Sequence, residues 1–311
     1  MATCICAISS EIGDRPVLFD ALEFDEDLGT CDILYDAAFL IMDLCHRDLR
    51  RQACRVLDAW LREARGVEDS GLAALPLFIS VRAAIRAMVA LQTDAARARP
   101  GASAAEIRAF LDLALAALHP APPMLIATGG YSGTGKSVLA RRLAPGTGAL
   151  PGAVLLSSDL ERKAGRPKDR RLAPARYAPE EREAVYAGMF RRAETLLAAG
   201  QAVILDATFL DPALRAAASA CAARAGVPFH GLWLDAPVPV LEARVRARRG
   251  DSSDADLEVL RGQLGASIGH LDWHLLEASG TPDAVLRTAR TALGDGSGET
   301  PDLSGRSPAQ A

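Results

Sequence analysis

The stretch M-L-I-A-T-G-G-Y-S-G-T-G-K-S-V-L-A-R-R-L, residues 124–143, decides the fold. It enters as a short apolar run, Met124–Thr128, passes through a glycine-rich loop, and leaves as V-L-A-R-R-L at helical spacing. Within it Gly130-Tyr131-Ser132-Gly133-Thr134-Gly135-Lys136-Ser137 fits G-x-x-x-x-G-K-[ST], in the strand-loop-helix setting that this phosphate-cradling loop requires. The chain's own Gly, Lys and Ser/Thr frequencies give on the order of 0.002 chance matches, so accident is a poor account. Lys136 is one of only three lysines, with Lys163 and Lys168, in a chain whose cations are otherwise arginine. A compact ammonium reaches phosphate oxygens as a point charge where a forked guanidinium does not fit. Loop N–H groups and the helix N-terminus complete an anion cradle, and Ser137 is the expected Mg²⁺ ligand. ATP and Mg²⁺ are the implied cofactors.

Downstream, the rhythm of strand, loop and helix repeats. Ala153–Ser157, Ala202–Asp206 and Phe229–Leu234 are apolar runs, each followed by a helical segment, which predicts an α/β fold with a parallel sheet covered on both faces. Pro179 with Glu180 and Glu181 opens one helix that Gly200 closes. Asp211-Pro212 opens the next, with Gly226 just past its end. Upstream, the chain is mainly helical. A short strand with an acidic turn is read at Pro16–Glu23, and from Cys31 apolar residues recur at helix spacing through Leu44 and again from Leu49 to Leu61. A third helix is read from Leu72 to Arg97. A fourth runs to Leu118 from Ser103 as N-cap, with Glu106 in the capping-box position. H-P-A-P-P at 119–123 stops helix formation and reads as a linker. The expected organisation is a helical domain at 1–120, a nucleotide-binding domain at 121–292, and a Gly/Pro/Ser-rich disordered tail at 293–311.

The chain has 311 residues, half of them hydrophobic, and a formal net charge of -4. No stretch approaches eighteen consecutive apolar residues and the start lacks a positive flank, so a membrane span or export signal is not expected and the cytoplasm is the default. The charge provides no general field for nucleic acid. A small-molecule acceptor is the expected partner besides the nucleotide. Cys4, Cys6, Cys31, Cys45, Cys54 and Cys221 form neither a disulfide framework nor a zinc pattern, and His270 and His274 lack the Glu of H-E-x-x-H.

Phosphoryl transfer also needs carboxylates for Mg²⁺ and acceptor, and cations for the transferred group. Asp206 closes A-V-I-L-D in the Walker-B manner, and Asp159 follows V-L-L-S-S; each could instead cap a helix or turn. Arg162 and Lys163 lie one turn beyond Asp159, placed to meet an anionic substrate. Arg244 and Arg248 stand four apart on one helix face, either as lid cations or as a solvated basic face.

The segment from Pro123 to about Arg290 resembles the P-loop kinase-like ATPases grouped with the AAA family, related to polynucleotide kinase and zeta-toxin phosphotransferases. The resemblance rests on G-G-Y-S-G-T-G-K-S, on S-S-D-x-x-R-K at 157–163, on V-I-L-D-A-T-F at 203–209, and on L-W-L-D-A-P with the arginine-rich run that ends at 255. It implies a central P-loop strand, Asp159 as acceptor-activating base, Arg244 or Arg248 as lid cations, and Asp206 with Thr208 near metal and substrate. The first 120 residues resemble the C-terminal part of an aminoglycoside-phosphotransferase-like kinase, on R-P-V-L-F-D-A-L-E-F-D, D-I-L-Y-D-A-A-F-L-I-M-D-L and L-P-L-F-I-S-V-R-A-A-I-R-A. There the match to Asp20 binds Mg²⁺, while Asp32 and Asp36 are structural.

The H-G-D-L-H-x-x-N catalytic loop of that family should precede Asp20 and does not. DNA encoding H-G-D-L-H-L-R-N-I, read one base later, encodes M-A-T-C-I-C-A-I-S, which is Met1–Ser9. The expectation is a frameshifted or misannotated remnant of a longer two-domain protein, with no phosphotransferase activity in residues 1–120. For the whole chain, the leading expectation is an ATP-dependent phosphotransferase or ATPase acting on a hydroxyl acceptor. The alternative is a non-catalytic ATP-binding sensor.

Overall fold

The computed structural model describes residues 8–12, 15–19, 32–163, 179–247 and 256–294. Five strands, β3 (Leu125–Gly130), β4 (Val154–Ser157), β5 (Val203–Asp206), β6 (Phe229–Asp235) and β7 (His274–Glu277), form one sheet in the order β4-β5-β3-β6-β7. Every pairing is parallel, and the P-loop strand β3 is central. Two short N-terminal strands, β1 (Ile8–Ile12) and β2 (Arg15–Phe19), pair antiparallel with each other. The strand read at Pro16–Glu23 is therefore β2, and residues 20–23 lie outside the described set, as do Asp20 and the 295–311 tail.

Side-chain alternation assigns the two faces of the sheet. Ile126, Ile204 and Leu232 pack with Leu139, Leu143, Val285 and Ala289 under α5 (Lys136–Leu143) and α11 (Pro282–Ala292). Leu125, Ala127, Val203 and Leu205 face the other way, against α7 (Pro179–Ala198) and α8 (Pro212–Ala225). Trp273, just before β7, lies across this second face so closely that a Cβ on Gly231 would stand 2.3 Å from its ring. The helix ends follow the expected chemistry. Asp211 accepts from the Ala213 N–H at 2.8 Å, and Gly226 ends α8 at φ 67°.

The N-terminal helices are α1 (Ile33–His46), α2 (Arg50–Glu63), α3 (Leu75–Ala96) and α4 (Ala104–Leu118), with a 3-10 turn at Asp69–Ala74 before α3. Leu72 falls in that turn, so the third helix starts later than its periodicity predicted. The Ser103 capping box does not form. The Ser103 N–H and hydroxyl both donate to the buried Asp94 carboxylate, at 2.7 and 2.8 Å, which fastens the α3–α4 turn and takes the hydroxyl from the helix end. Asp32 caps α1 by accepting from the Leu34 N–H at 2.8 Å, and Asp36 pairs with Arg82. Asp69–Ala96 is long enough, with a mean hydropathy of 1.7, to pass a length-and-composition test for a membrane span. In the fold, its residues Leu75, Ile79, Ala83 and Ala87 are buried within the bundle, whose apolar core runs continuously into the α7 and α8 face of the sheet.

That junction lies along β4, an edge strand, whose outward polar groups need partners. Asp58 of α2 accepts from the Leu155 N–H at 3.0 Å, and the Cys54 thiol contacts the Pro151 carbonyl at 3.5 Å. Burial pushes the Asp58 carboxyl up to about 7, against the Leu155 hydrogen bond and nearby arginines that lower it. A carboxyl raised above its unfolded value lends most stability when protonated, and that contribution is lost as pH rises from the unfolded value toward 7. Asp58→Asn keeps the acceptor oxygen without the charge. Urea unfolding at about pH 5 and about pH 8 is expected to show the parent losing about 2 kcal/mol more than the variant across that interval; equal losses would refute the assignment.

Candidate functional site

In an open parallel sheet, ligands bind beyond the carboxyl ends of the strands, where the connections diverge. Here β3 is that point, since the chain adds β5 and β4 on one side of it and β6 and β7 on the other. A cavity of about 1140 Å³ opens above this edge and is lined by Ser132 through Ser137 of the loop. Gly130 enters the loop at φ 132°, where a Cβ would stand 2.3 Å from the Leu234 carbonyl oxygen, so only glycine lets β3 turn beside β6. Tyr131 contributes its backbone: its carbonyl accepts from Lys136 Nζ and from the Thr134 hydroxyl, both at 2.8 Å. The Ser132 N–H donates to the Gln263 side chain of α10 (Leu257–Gly265) at 2.8 Å.

The register of β3 and β5 sets Thr128 opposite Asp206, which brings Asp206 level with the start of α5. The Ser137 hydroxyl then donates to Asp206 Oδ2 at 2.6 Å. Burial pushes the Asp206 carboxyl up, and the charge of Asp159 pushes it the same way; the Ser137 hydrogen bond and the Lys136 ammonium pull it down. A half-buried hydroxyl in contact with a buried carboxylate, beside a lysine and a glycine-shaped anion cradle, fits the oxygen-donor requirements of Mg²⁺ and a triphosphate.

The cavity has two ends, fixed by sheet order. Toward β4 and β5 lie Asp159, Arg162, Arg182, Tyr186 and Thr208. Asp159 and Arg162 share α6 (Ser158–Arg162) and pair at 3.2 Å. The Thr208 carbonyl accepts from the Gly130 N–H at 3.0 Å, tying the β5 loop to the P-loop. Burial pushes the Tyr186 phenol up, opposed by its hydrogen bond with Thr208. Toward β6 and β7 the lining includes Val138, Ala278, Pro282 and Val285, an apolar wall suited to a flat ring.

Arg244, on α9 (Val238–Ala247), stands at this second end. Its guanidinium donates to the carbonyls of Ala278 at 2.7 Å and Ser279 at 3.1 Å, with a longer contact to Gly133 at 3.5 Å. It therefore clamps the loop after β7 while lining the cavity beside the P-loop. Arg248 lies outside the described residues. Lys163, expected to meet substrate, is 5% exposed at the end of α6 and is not among the cavity-lining residues. His270 lends only its carbonyl, to Arg215. Sequence reasoning missed Gln263, and also Arg215, which is buried and donates to the carbonyls of Phe209, Leu210, Ile268 and His270, holding the loop that carries Thr208. Gln263 bonds to a residue distant in sequence, and so do two of the four Arg215 contacts, so spacing alone signals neither role.

Residues 125–267 match the AAA domain family. Uncharacterized proteins of Mycobacterium tuberculosis and Mycobacterium bovis are 33% identical over 284 residues, covering 86% of this chain and 54% of the relative. The chain thus spans about half the length of the curated relatives it matches, and the matched share reaches into the N-terminal helices. Among solved structures, a sugar kinase from Janibacter sp. HTCC2649 is similar at 22% identity and TM-score 0.42, over 56% of this chain and 95% of that chain. A gluconokinase from Sinorhizobium meliloti 1021 is similar at 20% identity and TM-score 0.41, over 56% of this chain and 93% of its own. An APS kinase of Mycobacterium tuberculosis, in complex with AMPPNP and APS, is similar at 20% identity and TM-score 0.39, over 56% and 98%. The AAA-domain match, the central P-loop strand and the sheet order together give the C-terminal segment a three-layer α/β fold of the P-loop nucleotide-binding kind.

Proposed function

We propose that this chain binds ATP·Mg²⁺ and transfers the γ-phosphoryl group to a hydroxyl-bearing small molecule. The observation that carries the reading is the Ser137–Asp206 contact at 2.6 Å inside the cavity that the P-loop and Asp159 share. Lys136 exchanges the Tyr131 carbonyl for a phosphate oxygen, and the loop N–H groups orient the phosphate chain. Ser137 and Asp206 are the ligands for Mg²⁺, which when bound supplies neutralisation of phosphate charge. Asp159 takes the acceptor's hydroxyl proton on its carboxylate, Arg162 and Thr208 orient the acceptor, and Arg244 or Arg248 is the lid cation by resemblance. The sheet order supports a base at the β7 end and an acceptor at the β4 end. A cavity of about 1140 Å³ is large enough for both. The helices before residue 120 are read as the C-terminal part of an aminoglycoside-phosphotransferase-like domain without activity of its own, with Asp32 and Asp36 in structural roles.

Lys136→Ala tests the central assignment. ATP affinity by calorimetry is expected to fall at least about tenfold, and ATP consumption to be abolished. Survival of both in the variant would refute the reading. Parental ATP binding without product, across a screen of hydroxylated metabolites, nucleosides and polynucleotide ends, would instead establish a nucleotide sensor.

Arg244→Ala separates the two ends of the cavity. ATP affinity is expected to fall about tenfold, while inorganic tripolyphosphate binds within about twofold of the parent. Equal loss for both ligands would place Arg244 over the phosphates.

A further inference from the structure

Outside the cavity, a charged cluster is buried that the phosphate chemistry does not use. Arg192 of α7 grips Asp69 through Nε at 2.8 Å and Nη2 at 3.0 Å, and its remaining arm donates to Glu161 at 2.6 Å. The Asp69 side chain is 1% exposed, Arg192 14% and Glu161 21%. Asp69 belongs to the 3-10 turn of the N-terminal helical part, whereas Glu161 lies on α6 between Asp159 and Arg162. A guanidinium held bidentately has a fixed plane, so Asp69 dictates where the third N–H points. Helix α6 has only five residues and too few backbone hydrogen bonds to set its own orientation. Arg162, bonded to Asp159, is carried on the same turn.

We propose that Asp69, Arg192 and Glu161 form a positioning chain through which the N-terminal helices fix α6 and thereby Asp159 at the acceptor end. The role assigned to α6 rests on the reading of Asp159 as the acceptor's proton acceptor. The chain touches neither nucleotide nor acceptor, so cutting it lowers turnover without weakening ATP binding.

Removing Arg192 or Asp69 would leave a buried charge unpaired and endanger folding. Glu161→Ala cuts only the outer arm and leaves the Arg192–Asp69 pair whole, while Glu161→Gln retains an acceptor oxygen. Hydrogen exchange on the full chain is expected to show amides at 157–163 exchanging about tenfold faster in Glu161→Ala, and within about threefold of the parent in Glu161→Gln. Amides at 125–137 and the dissociation constant for ATP stay within about twofold, and kcat for ATP consumption falls about tenfold at unchanged KM. Unchanged exchange at 157–163, or an equal rise across 125–137, overturns the proposal. A parent that binds no ATP would instead sink the phosphotransferase reading, and the exchange comparison would still decide whether Glu161 holds α6.

Discussion

The contact between Ser137 and Asp206 is the constraint around which the C-terminal segment is organised. A carboxylate that is 4% exposed at the end of an apolar strand needs polar partners close by, because burial penalises its charge. The Ser137 hydroxyl reaches it only if β5 ends opposite Thr128 and the chain returns past the end of β3 in a tight loop. The positive φ of Gly130 makes that return possible, and the first turn of α5 then delivers Ser137 and Lys136 to the same place. Sheet register, loop conformation and helix start are therefore parts of one solution. The same solution leaves Asp206 pushed toward its neutral form, and an incoming cation favours its ionised form.

Around this centre the arginines serve as ties. Arg215 gathers four backbone carbonyls from two loops, Arg244 spans the carbonyls after β7, and Arg192 joins two carboxylates far apart in the sequence. A planar fork with five donors suits several fixed acceptors at once, whereas the lysine ammonium is compact and mobile. A chain that holds its loops with arginine and keeps a lysine at position 136 separates the residues that define the cavity from the one that moves within it. Lys163, though also a lysine, is buried away from the cavity lining, so residue type alone did not assign its role.

What could be read from sequence was what short spacing controls. The β3–loop–α5 unit, the strand ending in Asp206, and the Asp211 and Gly226 ends of α8 each depend on residues within a few positions of one another. Strand β7 escaped because three of its four residues are exposed, so it lacks the apolar run by which the other strands were found. Ser103 looked like an N-cap because Glu106 follows it, yet Asp94, across the turn, competes for the same hydroxyl. Arg244, read as a lid cation, also meets carbonyls of the loop after β7, contacts that no short spacing could reveal.

The two ends of the cavity are built by different parts of the chain, and this asymmetry has a physical consequence. The apolar end is made by Val138 of α5 and by elements that follow β6, all within the P-loop segment. The end that holds Asp159 sits at the edge strand β4, which the N-terminal helices cover through Asp58, Cys54 and the 3-10 turn. An edge strand has one neighbour in the sheet, so its alignment depends more on side-chain contacts than that of a strand paired on both sides. Changes among those helices therefore reach the Asp159 end first, through β4 and α6, while the central strand and its loop are buffered by β5 and β6. The helical part is accordingly placed to influence the Asp159 end of the cavity, with the P-loop left intact.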